Sequence, residues 1–176
     1  ARLTILAYPD PRLRTPCAPV TRFDAELRRL IEDLADTLAA AGGIGLSAPQ
    51  VGDLRRVSIL NLAGDGAAPE VFVNPEILAR RRWGLVEESC LSVPGMVGNV
   101  LRPTRVRVRA LDPTGAPFER ELEDMHAVCL LHEADHIDGK LFLDRLSPIR
   151  RLRMRWREAR ARRADAARSE ERRVGK

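Results

Sequence analysis

The sequence has few cysteines and no long apolar runs, and both features narrow the class of protein. Its three cysteines, Cys17, Cys90 and Cys129, form an odd number, which argues against a disulfide framework. No apolar run approaches membrane-spanning length, and the first residues lack an apolar segment with a small-residue cleavage site. We therefore expect a cytoplasmic protein without a membrane partner, in which each cysteine is a packing residue, a metal ligand or a nucleophile.

The basic charge is concentrated at one end of the chain. The formal net charge is +5, and residues 147–176 contribute 12 basic and 4 acidic residues, or +8. The first 146 residues then carry 18 basic and 21 acidic residues, or −3. We expect a main domain, residues 1–147, and a basic helical extension, residues 148–176, whose end is polar enough to be disordered.

The apolar pattern predicts an α+β fold. Helical spacing of leucines predicts a helix that ends at Gly42–Gly43, and several strand-like runs follow it. A second helix is predicted from about residue 123 to 138, with Gly139 at its end, and a C-terminal helix begins at Ser147–Pro148. The expected architecture has short, mostly antiparallel strands around a central helix.

The stretch "HEADH" on this central helix is a candidate metal site. His132 and His136 are four residues apart, so their side chains project from one helix face and can bind one metal ion. Glu133 lies beside them and can accept a proton from water, as metal-assisted hydrolysis requires. The short pattern also occurs by chance, so a metallopeptidase, a structural zinc site and an accidental pair all stay open.

A third protein ligand is needed for a catalytic site, and two cysteines are candidates. Cys129 is on the same helix face, but it lies about 7.5 Å along the axis from the midpoint of the histidine pair. We expect it to pack near the site without binding the metal. Cys90 is in the loop-like segment "EESCLSVPG", and on composition alone a buried packing role is favoured for it.

Three motifs in order make the sequence resemble the bacterial peptide deformylases, whose patterns are GxGLAAPQ, EGCLS and QHExDH. The chain has "GIGLSAPQ" at Gly43–Gln50, "ESCLS" at Glu88–Ser92 and "LHEADH" at Leu131–His136. The similarity extends over about residues 1–150. Residues 1–147 are therefore expected to form a deformylase-like catalytic domain.

The chain departs from these motifs at three positions. Ser47 replaces an alanine, Ser89 replaces a glycine, and Leu131 replaces a glutamine. None of these changes removes an implied ligand or the proton-accepting carboxylate. We expect them to affect specificity and rate more than the reaction.

The resemblance implies that Cys90, His132 and His136 bind one divalent metal ion per chain, with water as a fourth ligand. The usual ion of the family is Fe²⁺, and a thiolate with two imidazoles also suits Ni²⁺, Co²⁺ or Zn²⁺. The implied reaction is hydrolysis of the N-formyl group from N-formylmethionyl peptides, which releases formate.

The resemblance also implies a role for three further groups. Glu133 accepts a proton from the water and later donates it to the departing amine. The side-chain amide of Gln50 and the backbone N–H of Leu91 stabilise the oxyanion. Gln50 could equally be a loop residue that only binds the backbone.

A substrate pocket and supporting groups can also be proposed. An apolar stripe on the predicted helix leads away from His132, although such stripes more often belong to a core. The candidate substrate-binding residues are Gly43, Ile44, Gly45, Val86, Met125, Val128 and Cys129. Glu88 and Arg102 are candidates for a buried ion pair near Cys90, with surface placement as the competing interpretation.

The basic extension has two interpretations. Ile149, Leu152, Trp156 and Ala159 repeat at helical spacing, which predicts a stripe that packs on the main domain or on a partner. The arginines on the other faces form either a solvated surface or a surface that binds a polyanion. The resemblance to deformylases implies that this polyanion is ribosomal RNA. Two other functions stay open: a catalytically silent deformylase-like protein that binds the ribosome or RNA, and a metallopeptidase that uses the HEADH helix.

Overall fold

A five-stranded antiparallel sheet with two α-helices packed on it forms the body of the protein. The structure, a computed structural model, describes residues 1–64, 66–156, 159–160, 163 and 167. The strands, each paired with the next, are β1 (Gly45–Ser47), β2 (Val57–Leu60), β3 (Glu70–Cys90), β4 (Val93–Leu111) and β5 (Pro117–Glu123). The helices are α1 (Ala25–Ala41) and α2 (Asp124–Ile137), and short 3₁₀ turns span Pro11–Arg14, Ala48–Val51 and Phe142–Arg145.

The sheet lies between the two helices, and β2 shows this most clearly. All four of its residues are buried. Val57 and Ile59 pack with the leucines of α1, whereas Leu60 packs with α2. Side chains alternate between the two faces of a strand, so Ser58 also points toward α2. A small polar residue in the centre of the sheet therefore faces the helix that carries the HEADH sequence.

Helix α1 has the boundaries that local physical chemistry favours. The side chain of Asp24 accepts a hydrogen bond from Leu27 N–H at the first turn. Gly42 ends the helix with φ of 66°, a left-handed conformation that glycine adopts without strain. The predicted helix is thus present, and its leucine stripe forms one core cluster with β1 and β2.

Helix α2 is buried on nearly all sides. Residues 127–131 and 135–137 are buried, and so is Glu133. Gly139 follows the C-terminal cap with φ of 72°, and a Cβ atom there would lie 2.6 Å from the carbonyl oxygen of Arg14. The second helix was therefore predicted correctly, and its central position confirms the expected arrangement.

The α+β class is confirmed, but the prediction of short strands was wrong for β3 and β4. These strands contain 21 and 19 residues and form one long hairpin. The segments that looked like separate strands are joined through irregularities in register, one of them between Val73 and Glu76. Bulges interrupt the alternation of apolar and polar residues without ending the strand, so the pattern suggests breaks that the backbone does not have.

The C-terminal helical segment, residues 148–156, begins where predicted. Arg151 N–H donates to Ser147 O at 3.0 Å, and Met154 is buried in a cluster with residues of β4 and the last 3₁₀ turn. The predicted stripe does not pack on the main domain, because Ile149, Leu152 and Trp156 are 59–69% exposed. Its packing on a partner, the other alternative, stays a prediction. Met154 points away from this stripe by more than 90° on a helical wheel. It is therefore Met154, and not the stripe, that packs in the apolar cluster on the main domain.

Two further expectations concern the chain beyond this segment. The last residues were predicted to be disordered, and they lie outside the part of the chain that the structure describes. The division of the chain into two parts at residue 147 stays a prediction.

Among the described helices, none has the length and apolar character needed to cross a membrane.

Candidate metal centre

Cys90, His132 and His136 converge at one point, and their potential ligand atoms all lie within 4.8 Å of one another. Nε2 of His136 is 3.2 Å from Sγ of Cys90 and 3.2 Å from Nε2 of His132. Tetrahedral ligands at normal Zn–N and Zn–S bond lengths are separated by about 3.3–3.6 Å. The cluster therefore has the donor atoms and nearly the spacing for one divalent ion.

The long hairpin brings Cys90 to the histidines. Cys90 is the last residue of β3 and pairs with Val93 across a tight turn. The strand register shifts between Ser89 and Cys90, and such an irregularity re-aims the side chains that follow it. His132 and His136 come from the middle and the end of α2. Strand pairing therefore brings Cys90 and His132 together, although forty-one residues separate them in the sequence.

Glu88 and Arg102 form a buried ion pair beside the centre. The Arg102 guanidinium donates to both carboxylate oxygens of Glu88, at 2.7 and 2.9 Å, and to Asp135 at 2.7 Å. Arg145 donates to both oxygens of Asp135, at 2.6 and 2.7 Å. Two carboxylates and two guanidiniums thus balance in charge, as burial of ionised groups requires.

This network also sets the orientation of a ligand. Oε1 of Glu88 lies 2.8 Å from Nδ1 of His132, so Nδ1 donates and Nε2 faces the cluster. Burial raises the pKa of Glu88, but hydrogen bonds from His132 and Arg102 outweigh this effect and lower the pKa overall. Glu88 therefore stays ionised at neutral pH and can accept the hydrogen bond from His132.

His136 is held in its neutral form. Burial lowers the pKa of His136 well below its usual value, and the neighbouring His132 lowers it further. Neutral imidazole is the form that binds metal ions. Burial also raises the pKa of the Cys129 thiol to about 12. Cys129 is buried, which agrees with the expectation that it packs near the site as a small apolar residue.

Glu133 is buried next to the cluster, with 4% of its surface exposed. Its Oε2 accepts a hydrogen bond from the Ser47 hydroxyl at 2.5 Å. A Cβ atom at Gly45 would lie 2.7 Å from Oε1 of Glu133, so only glycine leaves room for this carboxylate. Burial raises the pKa of Glu133, and His132 and Ser47 offset part of the rise. A carboxylate with a raised pKa is suited to proton transfer near neutral pH.

The side chain of Gln50 has one orientation that satisfies its neighbours. Its Oε1 accepts from the backbone N–H of Ser47 at 2.9 Å. Its Nε2 then lies 3.1 Å from the Ser92 hydroxyl and 3.7 Å from Cys90 Sγ. The amide N–H groups therefore point to the metal-ligand side, where they can donate to a bound group.

A cavity of about 350 Å³ opens onto these residues. Six of the seven predicted substrate-binding residues line it: Gly43, Ile44, Gly45, Met125, Val128 and Cys129. Gln50, Leu91 and Ser89, the residue that replaces the glycine of the deformylase motif, also line it. Val86 is not part of this lining, because it lies within β3 opposite Val100. Leu131 is also absent from it and packs in the core with Val106 and Leu122.

Sequence reasoning missed three contributors to the site: Ser47 as a partner of Glu133, Ser58 behind it, and Arg145. The signal for Ser47 was its departure from the motif, but only the packing of β1 against α2 shows its partner. Arg145 gives no signal, since one arginine among many carries no positional information in this chain.

The fold and the site define a class: an α+β protein with a Cys-His-His cluster that could hold a metal ion and a buried carboxylate beside it, as in metal-dependent hydrolases. A sequence model described as polypeptide deformylase matches residues 2–152. The chain belongs to the polypeptide deformylase family.

The alignments with individual relatives cover most of the chain. The peptide deformylase of Alkalilimnicola ehrlichii is 51% identical over 156 residues, which cover 88% of either protein. That of Pseudomonas aeruginosa is 47% identical over 156 residues, or 88% of this chain and 93% of its own. The crystal structure of a peptide deformylase from Legionella pneumophila aligns with a TM-score of 0.85 at 45% identity, covering 94% of this chain and 98% of that one.

The function follows from this membership. The protein is an enzyme, a metal-dependent hydrolase that removes the N-formyl group from nascent peptides, and N-formylmethionyl peptides are its substrates. The two other functions that the sequence left open, a metallopeptidase and a silent RNA-binding protein, are not supported by these relatives.

Arg102→Ala tests the dependence of the centre on the buried network. Loss of the guanidinium leaves Glu88 uncompensated, which should destabilise the fold by about 3–5 kcal/mol and weaken metal affinity roughly 10–100-fold. The control is Arg107→Ala, which removes an exposed partner of Glu119; its unfolding midpoint and metal affinity should stay near wild type. Urea unfolding and competition with a metal indicator measure both effects, and equal losses in the two variants would contradict this dependence.

Proposed function

We propose that Cys90, His132 and His136 bind Fe²⁺ and that the protein uses this site to hydrolyse the formyl group of N-formylmethionyl peptides in the cytoplasm. The observation that carries the proposal is the convergence of these three side chains with the buried Glu133 in one cavity. Sulfur and imidazole donors also suit Co²⁺, Ni²⁺ and Zn²⁺, so the donor set supports a group of ions in which Fe²⁺ is our choice. When bound, the ion supplies Lewis-acid activation of water and of the formyl carbonyl.

Glu133 is the proton-transfer group of the reaction. It accepts a proton from the water whose oxygen forms a bond to the formyl carbon, and it donates that proton to the amine as the C–N bond breaks. Formate and the free N-terminus are the products. The burial of Glu133 excludes bulk water from the carboxylate, and its raised pKa favours the return of the proton.

Gln50 and Leu91 stabilise the negative charge that develops on the formyl oxygen. The hydrogen bond from Ser47 N–H to Gln50 Oε1 leaves Nε2 of Gln50 as the group that faces Cys90. Leu91 follows Cys90 and also lines the cavity, so its backbone N–H is the second donor. The hydrogen bond from Ser47 N–H holds the Gln50 amide in position before the substrate binds, which reduces the cost of reorganisation.

The methionine side chain of the substrate occupies the apolar part of the cavity. Val128 and Cys129 are buried in its wall, whereas Ile44 and Met125 are about half exposed at its edge. An unbranched thioether side chain suits such a wall, because it adapts to an irregular apolar surface. The Gly43–Gly45 segment lies beside the peptide backbone, which binds there as an added extended strand.

Formate release from formyl-Met-Ala-Ser tests the role of Glu133. The Glu133→Ala variant should lose roughly 10²–10⁴-fold in kcat, the usual contribution of general acid–base catalysis. Its metal content should equal that of the wild type, since Glu133 is not a ligand. Glu76→Ala, which removes an exposed carboxylate of β3, should keep wild-type kcat. A fully active Glu133→Ala variant, or a metal-loaded wild type that releases no formate, would refute the proposal.

The C-terminal helical segment docks the enzyme on ribosomal RNA, so that residues 1–147 carry the chemistry and residues 148–176 the docking. Arg150, Arg151, Arg153 and Arg155 are exposed, and Ile149, Leu152 and Trp156 are exposed beside them. Clustered guanidiniums suit phosphate groups, and the uncovered apolar stripe supports the partner alternative. The remaining predicted arginines of this face include Arg157 and Arg162, which lie outside the described residues.

Ribosome co-sedimentation tests this docking. Deletion of residues 150–176 should abolish co-sedimentation, but it also removes the buried Met154. A second variant therefore replaces the four exposed arginines with glutamine and keeps Met154; its binding should fall at least tenfold, and wild-type binding should decrease steeply with added salt. Replacement of Arg105, Arg107 and Arg109, which pair with glutamates of β5, is the control. Unchanged sedimentation of the first two variants would contradict docking.

A further inference from the structure

The two oxygens of the Glu133 carboxylate have different surroundings. Oε2 accepts a hydrogen bond from the Ser47 hydroxyl at 2.5 Å, whereas Oε1 lies against Gly45, a residue of the cavity wall. We propose that Ser47 is a positioning residue for deformylation: its hydroxyl fixes Oε2, so that Oε1 is the oxygen that accepts the proton. The inference rests on the role proposed above for Glu133.

The hydrogen bonds around Ser47 have one consistent direction. Its Oγ lies 2.5 Å from Oε2 of Glu133, 3.0 Å from the carbonyl oxygen of Glu133 and 2.9 Å from Oγ of Ser58. In the ionised form, from which Glu133 accepts a proton, the carboxylate and the carbonyl can only accept, and Ser47 has one hydroxyl hydrogen to donate. In that form Ser47 donates to the charged carboxylate, the stronger acceptor, and Ser58 donates to Ser47.

The fold buries Ser47 and Ser58, so water does not replace the hydrogen bonds between them and Glu133. Ser47 of β1 and Ser58 of β2 are register partners in the sheet, and both have no exposed surface. They lie on the face that packs against α2, while Leu46 points to the opposite cluster with α1. The two serines thus belong to the rigid sheet, and they limit the rotation of a side chain on the neighbouring helix.

Comparison with the deformylase motif gives the expected size of the effect. The motif usually has alanine at position 47, so the reaction does not require this hydroxyl. A hydrogen bond that refines the position of a catalytic carboxylate should change the rate moderately, by about three- to tenfold. Loss of all activity is not expected.

A double-mutant cycle on Ser47 and Ser58 tests the inference with formyl-Met-Ala-Ser. Ser47→Ala should lower kcat about three- to tenfold with KM within a factor of two, because the substrate does not contact this hydroxyl. Ser58→Ala should lower kcat less. The double variant should match Ser47→Ala, since Ser58 acts only through Ser47.

Two measurements separate positioning from general damage. Metal stoichiometry, measured by elemental analysis, should be equal in all variants, so that reduced kcat is not due to lost metal. Thr37→Val is the matched control: Thr37 is a buried hydroxyl of α1 that donates to Asp33 O at 2.6 Å, and its loss should affect the thermal midpoint and leave kcat unchanged.

Several results would overturn the inference: wild-type kcat in Ser47→Ala, a Ser58→Ala effect that persists fully in the Ser47→Ala background, or a loss of kcat that follows the metal content. The assay of Glu133→Ala distinguishes failure of the proposed function from failure of the positioning role of Ser47. If that variant is active, the proposed function has failed. If it is inactive while Ser47→Ala has wild-type kcat, the role of Glu133 stands and only the positioning role of Ser47 is refuted.

Discussion

The candidate metal centre depends on the ion pairs that the buried guanidinium of Arg102 forms with Glu88 and Asp135. Arg102 lies between Glu88 of β3 and Asp135 of α2, so one residue of β4 connects the long hairpin to the central helix. Both carboxylates are more than 90% buried, and buried charges of this kind are tolerated only when paired. The same contact fixes Glu88 against His132, so that fold stability and ligand orientation share one set of hydrogen bonds.

Helix α2 combines requirements that usually conflict. Its apolar residues fill the core against β2, β4 and β5, while His132, Glu133 and Asp135 each have a hydrogen-bond partner from another element. Nδ1 of His136 is buried without a hydrogen-bond partner among the described residues. Asp135 binds Arg102 and Arg145, and Glu133 binds Ser47. These partners allow the carboxylates of Glu133 and Asp135 to be buried on the helix that carries His132 and His136. The same contacts hold Glu133 against β1, and Asp135 against β4 and Arg145.

The sequence allowed prediction of the parts of the site that depend on local spacing. The His132–His136 pair follows from helix periodicity, and the α+β class follows from the order of the patterns. Cys90 was connected to them only through resemblance to a family, because its position depends on the pairing of a long hairpin with irregular register. The contact between Ser47 and Glu133 was not predicted, since it requires the packing of β1 on α2. The packing of the C-terminal stripe on the main domain was wrong for a related reason: helical periodicity identifies an apolar face but not the surface that covers it, and here Met154, on another face of the helix, packs on the main domain.

The central claim is that Cys90, His132 and His136 together bind one catalytic metal ion. Substitution with Co²⁺ tests it most directly, because cobalt bound to a thiolate gives a sulfur-to-metal charge-transfer absorption that imidazole ligands alone do not produce. We predict one Co²⁺ per chain with this absorption in the wild type and in Glu133→Ala, and loss of the absorption in Cys90→Ser. An unchanged band and an unchanged stoichiometry in Cys90→Ser would contradict the claim.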